Sequence, residues 1–361
     1  MRIACLISSL RLGGAERQLV GLAVSLHRIG HDVTVITYRE GDFYAGVLKE
    51  AGVRMARIDG KDDLTIVRGL QSYVRASGIQ TLLSFLAGTN VKACLVKRGC
   101  PSLKLIVSER NCNVRMLPHD AFRFALYRRC ADCVVCNSFA QASFIRKHCP
   151  SLESRLCAIP NFVDTSTFSP SPAAGPVHRP VRILVTARVC RRKNVSGLIR
   201  AAAELDRRGY DFRIDWYGLG AEDRYSERCR REIQRGRIAD RFFLHPFVHD
   251  VVGRYREADI FCLPSFYEGT SNSIAEALSC GLPVVCSDVS DASKYIHEGQ
   301  NGFLFDPHSP DSMVRALGRA LNLPEAALKS YGSSGRIIAQ ESFPIERFTK
   351  AYTEMLSRVV R

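Results

Sequence analysis

Glu268 and Glu276 stand eight residues apart in the stretch Pro264-Ser265-Phe266-Tyr267-Glu268-Gly269-Thr270-Ser271-Asn272-Ser273-Ile274-Ala275-Glu276. The apolar run Ile260–Leu263 before it reads as a buried strand, Ser271 or Asn272 as the cap of a helix, and Gly281 to Pro283 as that helix's end. Backbone amides around Thr270–Ser273 would then face out of a helix start, where free N–H groups and the helix dipole favour phosphate oxygens. The glutamates do the complementary work. One precedes the helix and one lies in its second turn, so both can face one pocket and accept hydrogen bonds from hydroxyls. The pattern suits a charged centre flanked by hydroxyl-rich groups, as in a nucleoside diphosphate sugar. Two solvated surface acids are the plainer alternative, and the surrounding string weighs against it.

Other candidates are weaker alone. The segment Arg188-Val189-Cys190-Arg191-Arg192-Lys193 reads by itself as an exposed basic turn, and Gly218-Leu219-Gly220 as a short turn after a strand. Cys130, Cys133 and Cys136 have a spacing that could supply metal ligands, but Ala131–Cys136 reads as a buried strand and the thiols as small core hydrophobes. Fourteen cysteines spread over 361 residues, with no targeting segment, fit reduced thiols better than disulfides.

These residues must be carried by repeated strand–helix units. Short apolar runs followed by helical patterns recur at Ile3–Ile7 then Glu16–Ile29, Val33–Thr37 then Tyr44–Ala51, and Thr81–Leu86 then Asn90–Arg98. The rhythm restarts at Arg182–Ala187 with a helix at Val195–Arg208, then strands near Asp211–Tyr217, Phe242–Leu244, Ile260–Pro264 and Val284–Ser287. Such alternation predicts an α/β protein with two parallel sheets. The Pro-, Ser- and Gly-rich residues 165–176 between the halves read as a linker. Expected domains are residues 1–170, residues 171–340, and a C-terminal helix over 341–361 that packs back on the first domain.

The net charge is +15, of which +11 falls in the first 180 residues. Aromatics and cations interleave in Phe122-Arg123-Phe124-Ala125-Leu126-Tyr127-Arg128-Arg129. That suits an anionic membrane surface or a phosphate-bearing lipid, with Arg115, Arg123, Arg128 and Arg129 as the candidate contacts. A solvated basic face is the plainer alternative. No zinc-finger or RNA-recognition signature is present, so nucleic acid is not an expected partner. No apolar run approaches the roughly 18 residues of a membrane span. The start Met1–Ile7 reads as a first strand rather than a signal peptide, which predicts a cytoplasmic protein.

The Glu268/Glu276 string with its following Gly281-Leu282-Pro283-Val284-Val285 resembles the signature of the family-4 retaining glycosyltransferases. So do Gly13-Gly14-Ala15-Glu16-Arg17, Ile159-Pro160-Asn161-Phe162-Val163-Asp164, Ala187-Arg188 with Lys193-Asn194, and Gly302-Phe303-Leu304-Phe305. The resemblance implies the GT-B fold, two Rossmann-like domains facing across a cleft, with the donor held mainly by the second. It implies that Arg188 and Lys193 pair with the donor diphosphate, that Glu276 binds the ribose, and that Glu268 lies beside the donor sugar. Gly13 and Gly14 would let backbone approach the donor, and Gly218, Val248 and the residues Gly269, Thr270, Ser271, Asn272 and Ser273 complete the donor set. The implied reaction transfers a sugar from a nucleotide diphosphate, expected to be UDP, with retention of the anomeric configuration. Neither metal nor other cofactor is expected, and no Asp-x-Asp pair occurs in the chain.

Departures from the pattern fall near the acceptor and the base. Glu109 in Ser108-Glu109-Arg110-Asn111 stands where many relatives place a histidine, His119 follows a few residues on, and Glu109, His119 and Arg115 are the candidate acceptor contacts. His245-Pro246-Phe247-Val248 replaces a Leu-Gly pair. Gly13-Gly14-Ala15-Glu16-Arg17, Ser84-Phe85-Leu86 with Asn90, and Ser108-Glu109-Arg110-Asn111 are together similar to bacterial transferases that extend lipid-diphosphate-linked oligosaccharides, which implies a lipid-linked acceptor and a peripheral enzyme at the inner membrane face. A nucleotide-sugar 2-epimerase of the same plan and a basic nucleic-acid-binding protein are the alternatives.

Overall fold

Short runs rich in Val, Ile and Leu become strands buried on both faces, and the chain returns from each through a helix, the arrangement a parallel sheet requires. The computed structural model describes residues 1–172, 175–221, 223–248 and 250–360. They divide into two units: residues Met1–Asn161 with those from Ile345 onward, and residues Phe162–Pro344.

The strands of the first unit are β1 (Arg2–Leu6), β2 (Asp32–Thr37), β3 (Arg54–Arg57), β4 (Thr81–Phe85), β5 (Lys104–Glu109), β6 (Cys133–Cys136) and β7 (Leu156–Ala158). Its helices are α1 (Gly14–Arg28), α2 (Ala45–Glu50), α3 (Asp63–Ala76), α4 (Ala87–Gly99), α5 (Pro118–Cys130) and α6 (Phe139–His148). The sheet is parallel throughout, in the order β3-β2-β1-β4-β5-β6-β7. Polar caps start its helices: Asp62 accepts from the Thr65 N–H at 2.8 Å, and Ser138 from the Gln141 N–H at 3.1 Å.

The second unit holds β8 (Val181–Thr186), β9 (Phe212–Leu219), β10 (Phe242–Pro246), β11 (Ile260–Leu263), β12 (Val284–Ser287) and β13 (Gly302–Phe305). Its helices are α7 (Val195–Arg207), α8 (Arg224–Arg235), α9 (Val251–Arg256), α10 (Asn272–Ser279), α11 (Ala292–Tyr295), α12 (Pro310–Leu321) and α13 (Glu325–Ser342). The parallel order is β10-β9-β8-β11-β12-β13. Gly281 ends α10 at φ +73°, and α13 crosses it so closely that a Cβ on Gly332 would fall 2.0 Å from the Gly281 carbonyl oxygen. The last helix, α14 (Ile345–Val360), belongs to the first unit, where the buried Tyr352 ring stacks 6.5 Å from Phe85. No helix of the described residues is long and apolar enough to cross a membrane.

The division falls at Asn161 rather than after residue 170. Residues 162–170 are tied into the second unit: the Val163 N–H donates to the Phe343 carbonyl at 2.9 Å, Phe168 packs edge-on to Tyr255, and Arg336 donates to the carbonyls of Thr165 and Phe168. Of the expected linker, Ala173 and Ala174 lie outside the described residues. Cys130 closes α5, while Cys133 and Cys136 bound β6, all three buried. Among the described residues no three His, Cys, Asp or Glu side chains group so as to hold a metal ion.

Candidate active site

In the second unit the strand order reverses between β8 and β11, and open parallel sheets bind ligands beyond the carboxyl ends of the strands at such a point. The chain leaving β8 carries Ala187 and Arg188 and runs into the single turn Arg191–Lys193. The chain leaving β11 carries Ser265 to Ser271 and enters α10. Sheet topology thus brings together two segments about 75 residues apart in sequence, and the Phe266 N–H donates to the Arg192 carbonyl at 2.9 Å to join them.

The side chains meet there. Lys193 Nζ donates to Glu268 Oε1 at 2.5 Å, with both groups mostly buried. Burial alone would push the Glu268 carboxyl up, but the Lys193 ammonium and the nearby Arg192 outweigh it and hold Glu268 below its ordinary value. Asn194 follows in the left-handed region at φ +56°, turning the chain into α7, and its side chain donates to the Pro307 carbonyl at 3.1 Å. Arg188 is exposed, and among the described residues its guanidinium makes no ion pair. It is a cation open to a ligand.

Ser271 caps α10 by accepting from the Ile274 N–H at 3.4 Å, and its hydroxyl lies 3.1 Å from that of Ser273. Gly269, Thr270 and Ser271 line a cleft together with Glu268, while Asn272 and Ser273 open the helix. One turn on, Glu276 is buried and accepts from the Tyr255 hydroxyl at 2.8 Å. Tyr255, fully buried on α9, also lies 2.6 Å from the Thr186 hydroxyl at the end of β8. Because the phenol has one proton and gives it to the carboxylate, Thr186 supplies the second hydrogen bond, and the chain Thr186–Tyr255–Glu276 fixes one carboxylate oxygen. Burial, then the Glu276 charge, drives the Tyr255 phenol far above its ordinary value, so it stays a donor.

Gly218 ends β9 at φ +136°, and a Cβ there would fall 2.1 Å from the Ala187 carbonyl oxygen. This glycine lets β9 pass close to the segment that carries Arg188. Val248 follows β10, the edge strand beside β9. In the first unit Gly13 precedes α1, and the nearest atoms to a Cβ there belong to the flexible Glu16 carboxylate.

Of the acceptor candidates, His119 lies with its Nε2 3.5 Å from Asp120 Oδ1, at the edge of an ion-pair cluster that holds Glu109, and two readings are corrected. Glu109, at 2 % exposure, is closed off from any acceptor: Arg123 donates to its two oxygens at 3.1 and 3.2 Å, and the Tyr127 hydroxyl donates at 2.5 Å. Arg123, grouped by sequence with the membrane-facing cations, is buried between Glu109 and Asp120, the latter at 2.8 Å. Charge needs a partner in the interior, and these three supply it to one another. His119 and Arg115 are exposed, as are Arg128 and Arg129.

Sequence reasoning missed Tyr255 and Thr186, and also Ser287 and Asp291, which line the cleft with Glu268. None carries a local signal; a polar residue closing the apolar run Val284-Val285-Cys286-Ser287 is the nearest to one.

Comparison with known proteins agrees with this architecture. The family model for glycosyl transferases group 1 matches residues 180–322, and that for glycosyltransferase family 4 matches residues 12–167. An uncharacterized glycosyltransferase of Haemophilus influenzae is 22% identical over 357 residues, 95% of this chain and 96% of that one. The O-antigen chain mannosyltransferase B of Escherichia coli is 34% identical over 133 residues, covering 36% of this chain and only 34% of the relative. Anabaena HepE, solved with UDP and also with UDP-glucose, superimposes with a TM-score of 0.85 at 18% identity, covering 99% of this chain and 100% of HepE. Two parallel-sheet α/β units of this kind are the GT-B fold. The chain belongs to the family-4 glycosyltransferases.

Proposed function

We propose that this protein is a retaining glycosyltransferase that moves a hexose or N-acetylhexosamine from a UDP-linked donor to a lipid-diphosphate-linked or polysaccharide acceptor in cell-surface glycan synthesis. The reading rests above all on one observation: Lys193, Glu268, the N-terminus of α10 and Glu276 converge at the carboxyl ends of β8 and β11. Arg188 and Lys193 would neutralise the charge that grows on the leaving diphosphate, with the α10 amides adding fixed dipoles at its oxygens. Glu276 would accept from the ribose hydroxyls and Glu268 from those of the sugar. The acceptor oxygen bonds to the anomeric carbon on the face the diphosphate leaves, and the acceptor proton passes to the departing phosphate oxygen. UDP bound in HepE supports the choice of donor, and the O-antigen chain for which the mannosyltransferase relative is named supports a surface-glycan acceptor. The basic first 180 residues, with Arg115, Arg128 and Arg129 exposed, support peripheral attachment to an anionic membrane.

A panel of UDP-, GDP- and ADP-linked sugars, followed for nucleotide release with and without lipid-linked oligosaccharide, tests this directly. Acceptor-dependent UDP release with the sugar appearing on the lipid is the expected result. Release of a free sugar or an isomer without acceptor would replace the transferase by an epimerase. Tyr255→Phe refines the site: removing the donor to Glu276 raises the donor KM about tenfold, with kcat little changed, because a hydrogen bond to a charged group is lost from binding rather than from bond breaking. Steady-state kinetics at saturating acceptor separate the two constants.

A further inference from the structure

We propose that Ser287 and Asp291 form a specificity wall that reads a hydroxyl of the transferred saccharide. The inference rests on the donor reading above and extends it to residues on β12 and the turn into α11. Those residues line the same cleft as Glu268, because β12 lies beside β11 in the sheet and the segments that follow the two strands are neighbours.

The cleft is lined by two neighbouring loop segments. Glu268, Gly269 and Thr270 reach it from the segment after β11, Ser287 and Asp291 from the segment after β12, and Tyr295 and Phe343 add aromatic lining. Ser287 is 2 % exposed, and its Oγ has no hydrogen-bond partner among the described residues. Buried polar side chains are nearly always paired, so a lone hydroxyl on a cleft wall calls for a ligand group or a water to complete it. The backbone beyond it is held in an unusual shape: Ser290, not a glycine, adopts φ +56°, and this turn brings the buried Asp291 back to the same wall. A non-glycine residue in the left-handed region is uncommon and persists where the surrounding structure over-determines it. Hydroxyl and carboxylate groups beside an aromatic ring match a pyranose, which presents a hydroxyl edge and an apolar C–H face. A site built to bond a substrate hydroxyl rejects strongly the analogue that lacks it, which is how such a wall would select among hexoses.

The test uses the full-length protein, the preferred donor from the UDP-sugar panel, its singly deoxygenated analogues, and deoxygenated acceptors. Ser287→Ala and Asp291→Asn are each expected to lower kcat/KM for the intact donor about tenfold or more, to leave the Kd of free UDP unchanged, and to flatten the preference for the intact donor over one particular deoxy analogue. Thermal melting checks that each variant is folded, and Ser287→Thr, which keeps the hydroxyl, should retain the preference. Unchanged discrimination among all deoxy donors in both variants, with transfer persisting, overturns the inference. Flattening confined to deoxy acceptors also overturns it, since the wall would then read the other sugar. Absence of transfer by the unaltered protein from every donor overturns the transferase reading itself, a result distinct from the other two.

Discussion

Lys193→Ala lowers kcat/KM for sugar transfer by about 10²- to 10³-fold, the loss that follows removal of one preorganised charge from the position where transition-state charge develops. Lys193 is held for this by local structure: the turn Arg191–Lys193 is closed by the left-handed Asn194 and fastened through the Arg192 carbonyl to the Phe266 N–H. Lys193→Arg recovers only part, because a planar fork cannot replace a compact ammonium 2.5 Å from Glu268. The alanine variant also has a pH signature. In the native protein Glu268 sits below its ordinary value, so its pairing contributes stability above the ordinary carboxylate range and loses it as the pH falls through the depressed value. Without Lys193 the largest lowering influence is gone, the carboxyl rises from its depressed value, and the stability that its ionised form contributes shrinks. The melting temperature of the variant therefore lies furthest below that of the native protein near pH 8, and the gap closes toward about pH 4. An undiminished kcat/KM would remove Lys193 from the reaction, and a gap independent of pH would deny the coupling to Glu268.

That site was half legible in the sequence, and the half is instructive. Glu268, the α10 cap at Ser271 and Glu276 are neighbours along the chain, so spacing around a helix start reveals them. Tyr255, Thr186, Ser287 and Asp291 come from β8, α9, β12 and the turn into α11, and only the strand order makes them neighbours. Spacing cannot report that. The same contrast holds in the fold. Central strands such as β1, β4 and β11 are buried along most of their length and read as unbroken apolar runs. By contrast β3, Arg54-Met55-Ala56-Arg57, is a largely exposed edge with nothing in its composition to mark it. The start of the second unit is hidden in the sequence for a related reason. Pro, Ser and Gly mark where regular structure stops, whereas the unit begins where side chains first commit to its core, at Phe162, Val163 and Phe168.

Glu109 and Arg123 show the opposite error, in which chemistry-bearing residues turn out to be structural. A carboxylate at the end of an apolar strand and a cation among aromatics both look solvent-directed in a linear reading. Helix α5 packs so that Arg123 faces inward, and fourteen residues of separation become a bidentate ion pair. Asn90 completes the cluster by donating to the Tyr127 oxygen at 3.0 Å. The network fixes β5, α4 and α5 to one another, so its value is to the first unit's integrity.

Arg123→Ala accordingly destabilises the first unit by about 3–5 kcal/mol, because it strands two buried carboxylates, Glu109 and Asp120, without their cation. Burial alone would pull the Arg123 guanidinium down, yet Glu109, Tyr127 and Asp120 hold it above its ordinary value, which marks the pairing as the stronger influence. Replacing both partners, Glu109→Leu with Arg123→Met, costs much less than Arg123→Ala, since an apolar pair of similar volume needs no compensation. The chain supplies its own reporter for where the damage falls. Its single tryptophan, Trp216, is buried on β9 of the second unit, so its fluorescence follows that unit while far-ultraviolet circular dichroism follows both. In urea the dichroism of Arg123→Ala develops an early transition, lower by about 1 M or more than in the native protein, ahead of the Trp216 signal. A dichroism curve unchanged from the native protein would mean that the cluster carries no such load, whereas recovery in the double replacement would tie the loss to the unpaired charges rather than to the missing bulk of the arginine.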